Sequence, residues 1–261
     1  MRIESAANPR FRALLALAGS ARERRQQGLS VIEGAHLCDS YLERHGAPLQ
    51  LFVPDDPTPE VAALAARART LALSPVTLTR RLFAQASQVG HGPGPLAIIA
   101  TPQPELPGSL SDDAVYLDRV QDPGNVGSVL RTCAAVGVGR VITAPGTAAC
   151  WSPKVLRAAM GAHFHLVIHE DVDAETLLAR LAIEAVATVS GASTGLYQAD
   201  LRAPRIWLFG NEGQGLAPLL QHAPGLRRLA IPQTDAVESL NVGVAAAVCL
   251  FEQLRQRAAG P

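Results

Sequence analysis

The chain is poor in the features that mark secreted, membrane-spanning or metal-dependent proteins. Its 261 residues hold four cysteines, Cys38, Cys133, Cys150 and Cys249, with no CxxC pair and no histidine spacing of the zinc-binding kind. Buried free thiols and no metal centre are expected from that pattern. Hydrophobic runs are short: VGVAAAVCLF at 242–251 is half of the roughly 20 residues that cross a bilayer. Near the N terminus, Arg10, Arg12, Arg22, Arg24 and Arg25 interrupt the stretch in which a signal peptide needs an apolar core. A cytoplasmic protein without a membrane partner is expected. Net charge is lacking too, at zero, whereas most nucleic-acid-binding domains carry a basic footprint. Lysine is almost absent, Lys154 being the single one among 23 basic residues. Arginine suits phosphate and base contacts, and a codon bias of the genome would give the same composition.

What charge there is sits unevenly. Residues 1–30 hold six arginines against Glu4 and Glu23, a net of +4, and the rest of the chain is slightly acidic. With 48% hydrophobic residues the chain can bury a sizeable core. A proline-rich stretch, TPQPELPGSLSDD at 101–113, separates two segments that each have their own helix and strand patterns. The expected organisation is therefore a small α/β domain over 1–100, a linker over 101–112 and a second α/β domain over 113–261.

In the first segment SVIEGAHLCDSYLERHG predicts a short strand and a helix, and LQLFVP a strand. TPEVAALAARAR predicts a helix capped by Thr58, TLALS a strand, TLTRRLFAQAS a helix capped by Thr77 or Thr79, and PLAIIATP a closing strand. In the second, strands are expected near 115–120, 140–144, 164–169, 185–190, 205–210 and 227–232, with a final helix from about 240 to 257. Such β/α alternation implies a parallel sheet. His163 and His165 alternate with Phe164 as a strand would place them, on one face. Two histidines without a third ligand make no zinc site, and satisfied or surface histidines are the commoner case.

Three strings carry the functional signal: DPGNVGSVLRT at 122–132, LFGNEGQGL at 208–216 and IPQTDAVESLNVGVAAAV at 231–248. Each follows a short apolar run and leads into a helix-like pattern, which puts three loops where an α/β sheet binds its ligand. In the first, Pro123 and Gly124 make a turn, Asn125 is a candidate helix cap, and Gly127 and Ser128 keep the first turn small. Glycines at 210, 213 and 215 let backbone groups approach a ligand closely, but their order is wrong for the GxGxxG dinucleotide fingerprint. In the third, Ser239 offers an N-cap or a hydroxyl donor, Asn241 a two-sided polar group, and Gly243 and Ala245 to Ala247 allow close helix packing.

The order and content of these strings resemble the three motifs of the SpoU (TrmH-type) RNA ribose 2′-O-methyltransferases of the SPOUT class. IEGAHL, a second strand and a Gly-rich turn in GHGPGPLAIIA are similar to the L30e-like substrate-binding domain that precedes many SpoU catalytic domains. The resemblance implies a C-terminal parallel-sheet domain closed by a deep trefoil knot, S-adenosylmethionine as cofactor, and a homodimer seamed along the last helix. It implies transfer of a methyl group to a ribose 2′-OH of RNA, with ribosomal RNA favoured over transfer RNA. It assigns catalytic roles to Arg131, Asn125, Glu212, Ser239 and Asn241, with Glu212 orienting Arg131. Leu208, Phe209, Gly210, Asn211, Gly213, Ile231, Pro232, Ser239, Leu240 and Asn241 then surround the cofactor. Arg131 acts either as general base or as stabiliser of the alkoxide, and its permanent charge favours the second.

Several residues outside the three motifs enter the same reading. Glu33 and His36 are RNA contacts or a solvated helix start, and Lys154 and Arg157 are candidate phosphate contacts. Two rival classes stand beside it: a non-catalytic RNA-binding or ribosome-assembly protein of the same fold, and a nucleotide-dependent oxidoreductase. Intact Asn125, Arg131, Glu212, Ser239 and Asn241 weigh against the first, and glycine order against the second.

Overall fold

The computed structural model of the chain describes residues 1–88, 94–189, 191–234, 236–237, 239 and 240–259. Two compact units emerge, Met1–Pro102 with Trp151–Phe164 and Gln103–Cys150 with His165–Pro261. The first runs β1 Arg2–Ile3, α1 Pro9–Gly19, α2 Ala21–Gln27, β2 Leu29–Glu33, α3 Ala35–His45, β3 Gln50–Pro54, α4 Pro59–Thr70, β4 Val76–Leu78, α5 Arg80–Ala86 and β5 Leu96–Ala100. Its sheet has the order β1-β4-β3-β5-β2, with β5 antiparallel to both neighbours and the other pairs parallel. Helix α1 begins where Pro9 supplies a preset φ and the Asn8 side chain accepts from Arg10 N. Its Phe11, Leu14 and Leu17 fall on one face and bury against Phe52, Leu78 and Phe83.

Two local expectations in this unit are corrected. TLALS is no strand: α4 runs through Thr70, and Ala72 turns the chain at φ 59°. The strand follows at Val76–Leu78, where it pairs with β3 and β1. That places Thr77 in the sheet, so Thr79 caps α5 by accepting from Leu82 N. Glu33 is not simply solvated, since its carboxylate accepts from Ser87 Oγ and Gln88 N and so ties the end of β2 to the end of α5. His36 is exposed. Most of the Gly-rich turn, residues 89–93, lies outside the described residues.

The second unit contains β6 Ala114–Asp118, α6 Pro123–Val136 and β7 Arg140–Thr143; α7 Pro153–Ala159 then groups with the first unit, carrying exposed Lys154 and Arg157. It continues with β8 Val167–His169, α8 Ala174–Arg180, β9 Glu184–Thr188, β10 Arg205–Gly210, α9 Pro218–Gln221, β11 Arg227–Leu229 and α10 Val242–Ala258. All six strands are parallel, in the order β11-β9-β10-β6-β7-β8. Central strands are buried on both faces, as β6 shows along its whole length, and read as continuous apolar runs.

Residues 162–165 form a 3₁₀ turn instead of the start of a strand, with His163 buried and His165 exposed, so the two rings do not share a face. The glycine at 161, at φ +87°, makes that turn possible. The proline-rich stretch is fastened to the second unit: Arg180 Nη1 donates to Leu106 O at 2.6 Å and Pro107 O at 3.1 Å, and Leu110 bridges Leu181. At the N-terminal edge of the sheet, Asp113 accepts from Arg205 N, Gln253 and Arg257. Gln253 in turn accepts from buried Trp207 Nε1, which pins α10 along the sheet. All four cysteines are buried, and none of them is in a disulfide.

Candidate active site

From β6 the chain steps outward through β7 and β8, and it later returns to the other side through β9, β10 and β11. The carboxyl ends of β6 and β10, adjacent through the Gly210–Asp118 register pair, therefore mark a topological switch point, the usual ligand site of an open parallel sheet. The three motif strings follow β6, β10 and β11.

After β6, Asp122 and not Asn125 caps α6, accepting from Asn125 N at 2.8 Å, with Pro123 in the first helical turn. Asn125 is thereby left with a free side chain inside the first turn. Its Nδ2 donates to Glu212 Oε1 at 2.9 Å, and its Oδ1 accepts from Asn241 Nδ2 at 2.9 Å. Asn241, not Ser239, caps α10, its Oδ1 accepting from Gly243 N and Val244 N. Because that oxygen is committed to the helix, only the amide nitrogen of Asn241 is left to face Asn125. The direction of the chain follows: Asn241 donates to Asn125, and Asn125 donates to the carboxylate of Glu212. One residue from each string is joined in a single hydrogen-bonded line.

After β10, the backbone folds so tightly that a Cβ on Gly210 would stand 2.3 Å from Gly215 C and 2.4 Å from Leu216 N, which only glycine avoids. Asn211 and Gly215 exchange backbone hydrogen bonds of 3.0 and 2.8 Å, and Asn211 Oδ1 accepts from Gly213 N and Gln214 N. Beside this turn lies a cavity of about 490 Å³, within the range of small-molecule sites. Thr188 and Val189 at the end of β9, the 209–216 turn, and Ile231, Gln233 and Ser239–Val242 form its walls. Backbone amides and carbonyls, a few hydroxyl and amide side chains and apolar Phe209 and Leu240 make a lining that fits a nucleoside carrying an aliphatic tail. Among the described residues no group of three or more His, Cys, Asp or Glu is placed to hold a metal ion.

Residues 113–251, just over half of the chain, match the model of the SpoU rRNA Methylase family. The chain belongs to this family. Among its relatives is the uncharacterized tRNA/rRNA methyltransferase slr1673 of Synechocystis, 32% identical over 98% of this chain and 94% of that protein. The 23S rRNA (guanosine(2553)-2′-O)-methyltransferase RlmP of Bacillus subtilis is 29% identical over 95% of this chain and 97% of its own. Of solved structures, the AdoMet-bound rRNA methyltransferase from Sinorhizobium meliloti superposes with a TM-score of 0.83 at 26% identity, covering 98% of this chain and 97% of that one.

Within this SpoU domain the residues singled out from sequence separate into three groups. Phe209, Gly210, Asn211, Glu212, Gly213, Ile231, Ser239, Leu240 and Asn241 line the cavity. Asn125 reaches that wall through its hydrogen bonds to Glu212 and Asn241. Leu208 points into the core, and Pro232 is not part of the wall. Arg131 is exposed on α6 and makes no hydrogen bond or ion pair with a described residue; Glu212 is turned to Asn125 and does not orient it. It lies one helical turn beyond Ser128, whose Cβ would be 3.5 Å from a Cβ at Gly243, so Arg131 follows the face of α6 that meets the start of α10.

Sequence reading missed Asp118 and Arg119, which hold the 211–217 segment by hydrogen bonds, and Thr188 and Val189 of the cavity wall. An aspartate closing a fully buried strand, in VYLDRV, was the available signal for the first pair. Nothing local marked the second.

Proposed function

We propose that this SpoU-family protein transfers a methyl group from S-adenosylmethionine to a ribose 2′-OH of ribosomal RNA, in the cytoplasm. The observation that carries the reading is the Asn241–Asn125–Glu212 line, which unites the three motif loops beside a cavity of cofactor size. Gly210, Asn211, Ile231 and Leu240 are the residues that would hold the cofactor, whose sulfonium supplies an electrophilic methyl group. This chain contributes alignment and charge. Fixing the reacting groups in line is worth up to ~7–11 kcal/mol in well-oriented reactions. Arg131, permanently charged and without a partner among the described residues, stabilises the 2′-oxygen as it attacks the methyl carbon, the C–S bond breaks and the hydroxyl proton passes to solvent water. Ser239, on the cavity wall, supplies a hydroxyl to the same region.

The reading extends to the assembly. Val244, Phe251 and Leu254 are exposed along α10, and with Ala247 and Val248 between them they form one apolar stripe at helical spacing. A second copy of this chain covers that stripe in the proposed homodimer. The first unit, with Arg10, Arg12, Arg22 and Arg25 exposed on α1 and α2, serves as the L30e-like RNA-binding domain over residues 1–100. The domain over 113–261 carries the catalytic site and the trefoil knot, and the return of the chain from β11 to the β10 turn and then to α6 through α10 supports that topology.

Calorimetric titration of the full chain with S-adenosylmethionine and with its demethylated product tests the site. Saturable binding in the micromolar range is expected. No heat from either ligand with folded protein, or binding of NAD in their place, would overturn the reading.

A further inference from the structure

The turn that forms one wall of the cavity is gripped by two residues that none of the three motif strings includes. Asp118 ends β6 with its side chain almost wholly buried, and its carboxylate accepts from Ala217 N and from Arg119 Nε at 3.0 Å and Nη2 at 3.2 Å. Arg119 in turn reaches across to the loop after β10, where Nη1 donates to Gln214 Oε1 at 3.1 Å and Nη2 to Gly215 O at 3.3 Å. Its backbone is engaged as well: Arg119 O accepts from Asn211 Nδ2 at 2.8 Å, and Arg119 N donates to Thr147 Oγ1 at 3.1 Å. Positions 211, 214, 215 and 217 are thus all held from one dipeptide.

Arg119 adopts φ 58°, a left-handed conformation that an arginine rarely takes and that the surrounding bonds must enforce. Backbone strain of this kind persists where neighbours over-determine it, and such places cluster at ligand clamps. A planar guanidinium that meets a carboxylate on one edge and a loop on the other does what a lysine cannot, because it offers several donors in one rigid fork. The same turn carries Gly210, Asn211, Glu212, Gly213 and Gly215 to the cavity.

We infer that Asp118 and Arg119 form a positioning clamp that sets the shape of the Asn211–Gly215 turn and so the affinity of the cavity for S-adenosylmethionine. The inference rests on the cofactor reading given above. Neither residue touches the reacting atoms; both act through the turn, so they govern cofactor binding more than turnover.

Arg119→Lys and Gln214→Ala, made in the full chain, test this. The first keeps a cation beside Asp118 and gives up the fork; the second removes one exposed anchor and leaves the buried carboxylate untouched. Arg119→Lys is expected to raise the Kd and the KM for S-adenosylmethionine about tenfold, with kcat at saturating cofactor within about threefold and the KM for RNA unchanged. Gln214→Ala moves the same two constants in the same direction by less, without a change in Tm. Wild-type affinity in both variants would overturn the clamp, as would a parallel loss of kcat and Tm with an unmoved cofactor KM. A wild-type protein that binds no S-adenosylmethionine would instead overturn the reading beneath it, which separates the two failures.

Discussion

Asn125, Glu212 and Asn241 show how side-chain chemistry decides what each site residue does. Amide groups have a donor and an acceptor end, and capping of α10 by Asn241 Oδ1 fixes which end faces Asn125. Arg131 stands apart from that line, exposed and without a partner among the described residues. Arg131→Ala is therefore expected to lower methyl transfer by a factor of about 10²–10³, the range for loss of one charge-stabilising group, while calorimetry finds an unchanged cofactor Kd. Equal losses in binding and turnover would assign it to the cofactor instead.

A second prediction at this scale concerns His169. Arg140 Nη1, which can only donate, lies 2.7 Å from its Nε2, so Nδ1–H faces Pro104 O at 3.2 Å and the ring is neutral. Burial, joined by the Arg140 charge, holds its pKa below the ordinary value of 6.5 against the opposing bond to Pro104. In the unfolded chain the ring takes up a proton near pH ~6.5, before the folded protein does. Its contribution to stability is therefore complete above that pH and lost as pH falls from there through the lowered folded pKa. Tm should drop between pH 7.5 and 5.5, and His169→Gln should flatten that part of the profile.

At the scale of elements, α10 does three things at once. Its first turn is capped by Asn241, buried Gln253 holds Trp207 and Asp113, exposed Arg257 adds a second hold on Asp113, and its outer face carries the apolar stripe. Phe251 is 51% exposed, so covering it in a dimer is worth about half of the ~1.5–3 kcal/mol of a full side-chain burial. Light scattering should give twice 27.4 kDa for the unaltered chain and a shift toward monomer for Phe251→Glu. A monomer at tens of micromolar in the unaltered chain would contradict the proposed seam.

Elements are also where the limits of sequence reading show. β6, β7, β9, β10 and α10 were legible because each strand is a largely buried apolar run and the helix a long small-residue pattern, whereas β8 begins later than its pattern suggests and β11 is three residues long, two of them arginine. The strand misread at TLALS is apolar enough, but α4 extends into it, and only pairing with β1 and β3 selects Val76–Leu78. Caps were misplaced for a related reason. Asp122 and Asn125, or Ser239 and Asn241, are all good capping residues, and the choice between them depends on which side chain is needed elsewhere in the site. His163 and Phe164 alternate like a strand, yet a glycine at φ +87° two residues earlier turns them into a 3₁₀ segment.

For the whole molecule, the arginine-rich N terminus becomes more specific once folded. Of its six arginines, Arg24 donates to Leu17 O and Ala18 O, and Arg2 pairs with Glu4 and Asp55. Arg10, Arg12, Arg22 and Arg25 are left exposed. Replacing these four by glutamine should weaken RNA binding and make log K less steep in log salt by up to roughly 3, at about 0.7 per phosphate contact on single strands. Cofactor affinity should stay as it was. An unchanged salt slope would place the RNA surface elsewhere.

The most direct measurement follows tritium from the methyl group of S-adenosylmethionine into ribosomal RNA taken from a strain that lacks the gene. Digestion in alkali locates the product, because a methylated 2′-oxygen cannot attack the neighbouring phosphate. Label retained in one alkali-resistant dinucleotide, appearing about 10²–10³-fold more slowly with Arg131→Ala, is the expected result. Label on a base, or none from protein that binds the cofactor normally, would show that this site does different chemistry.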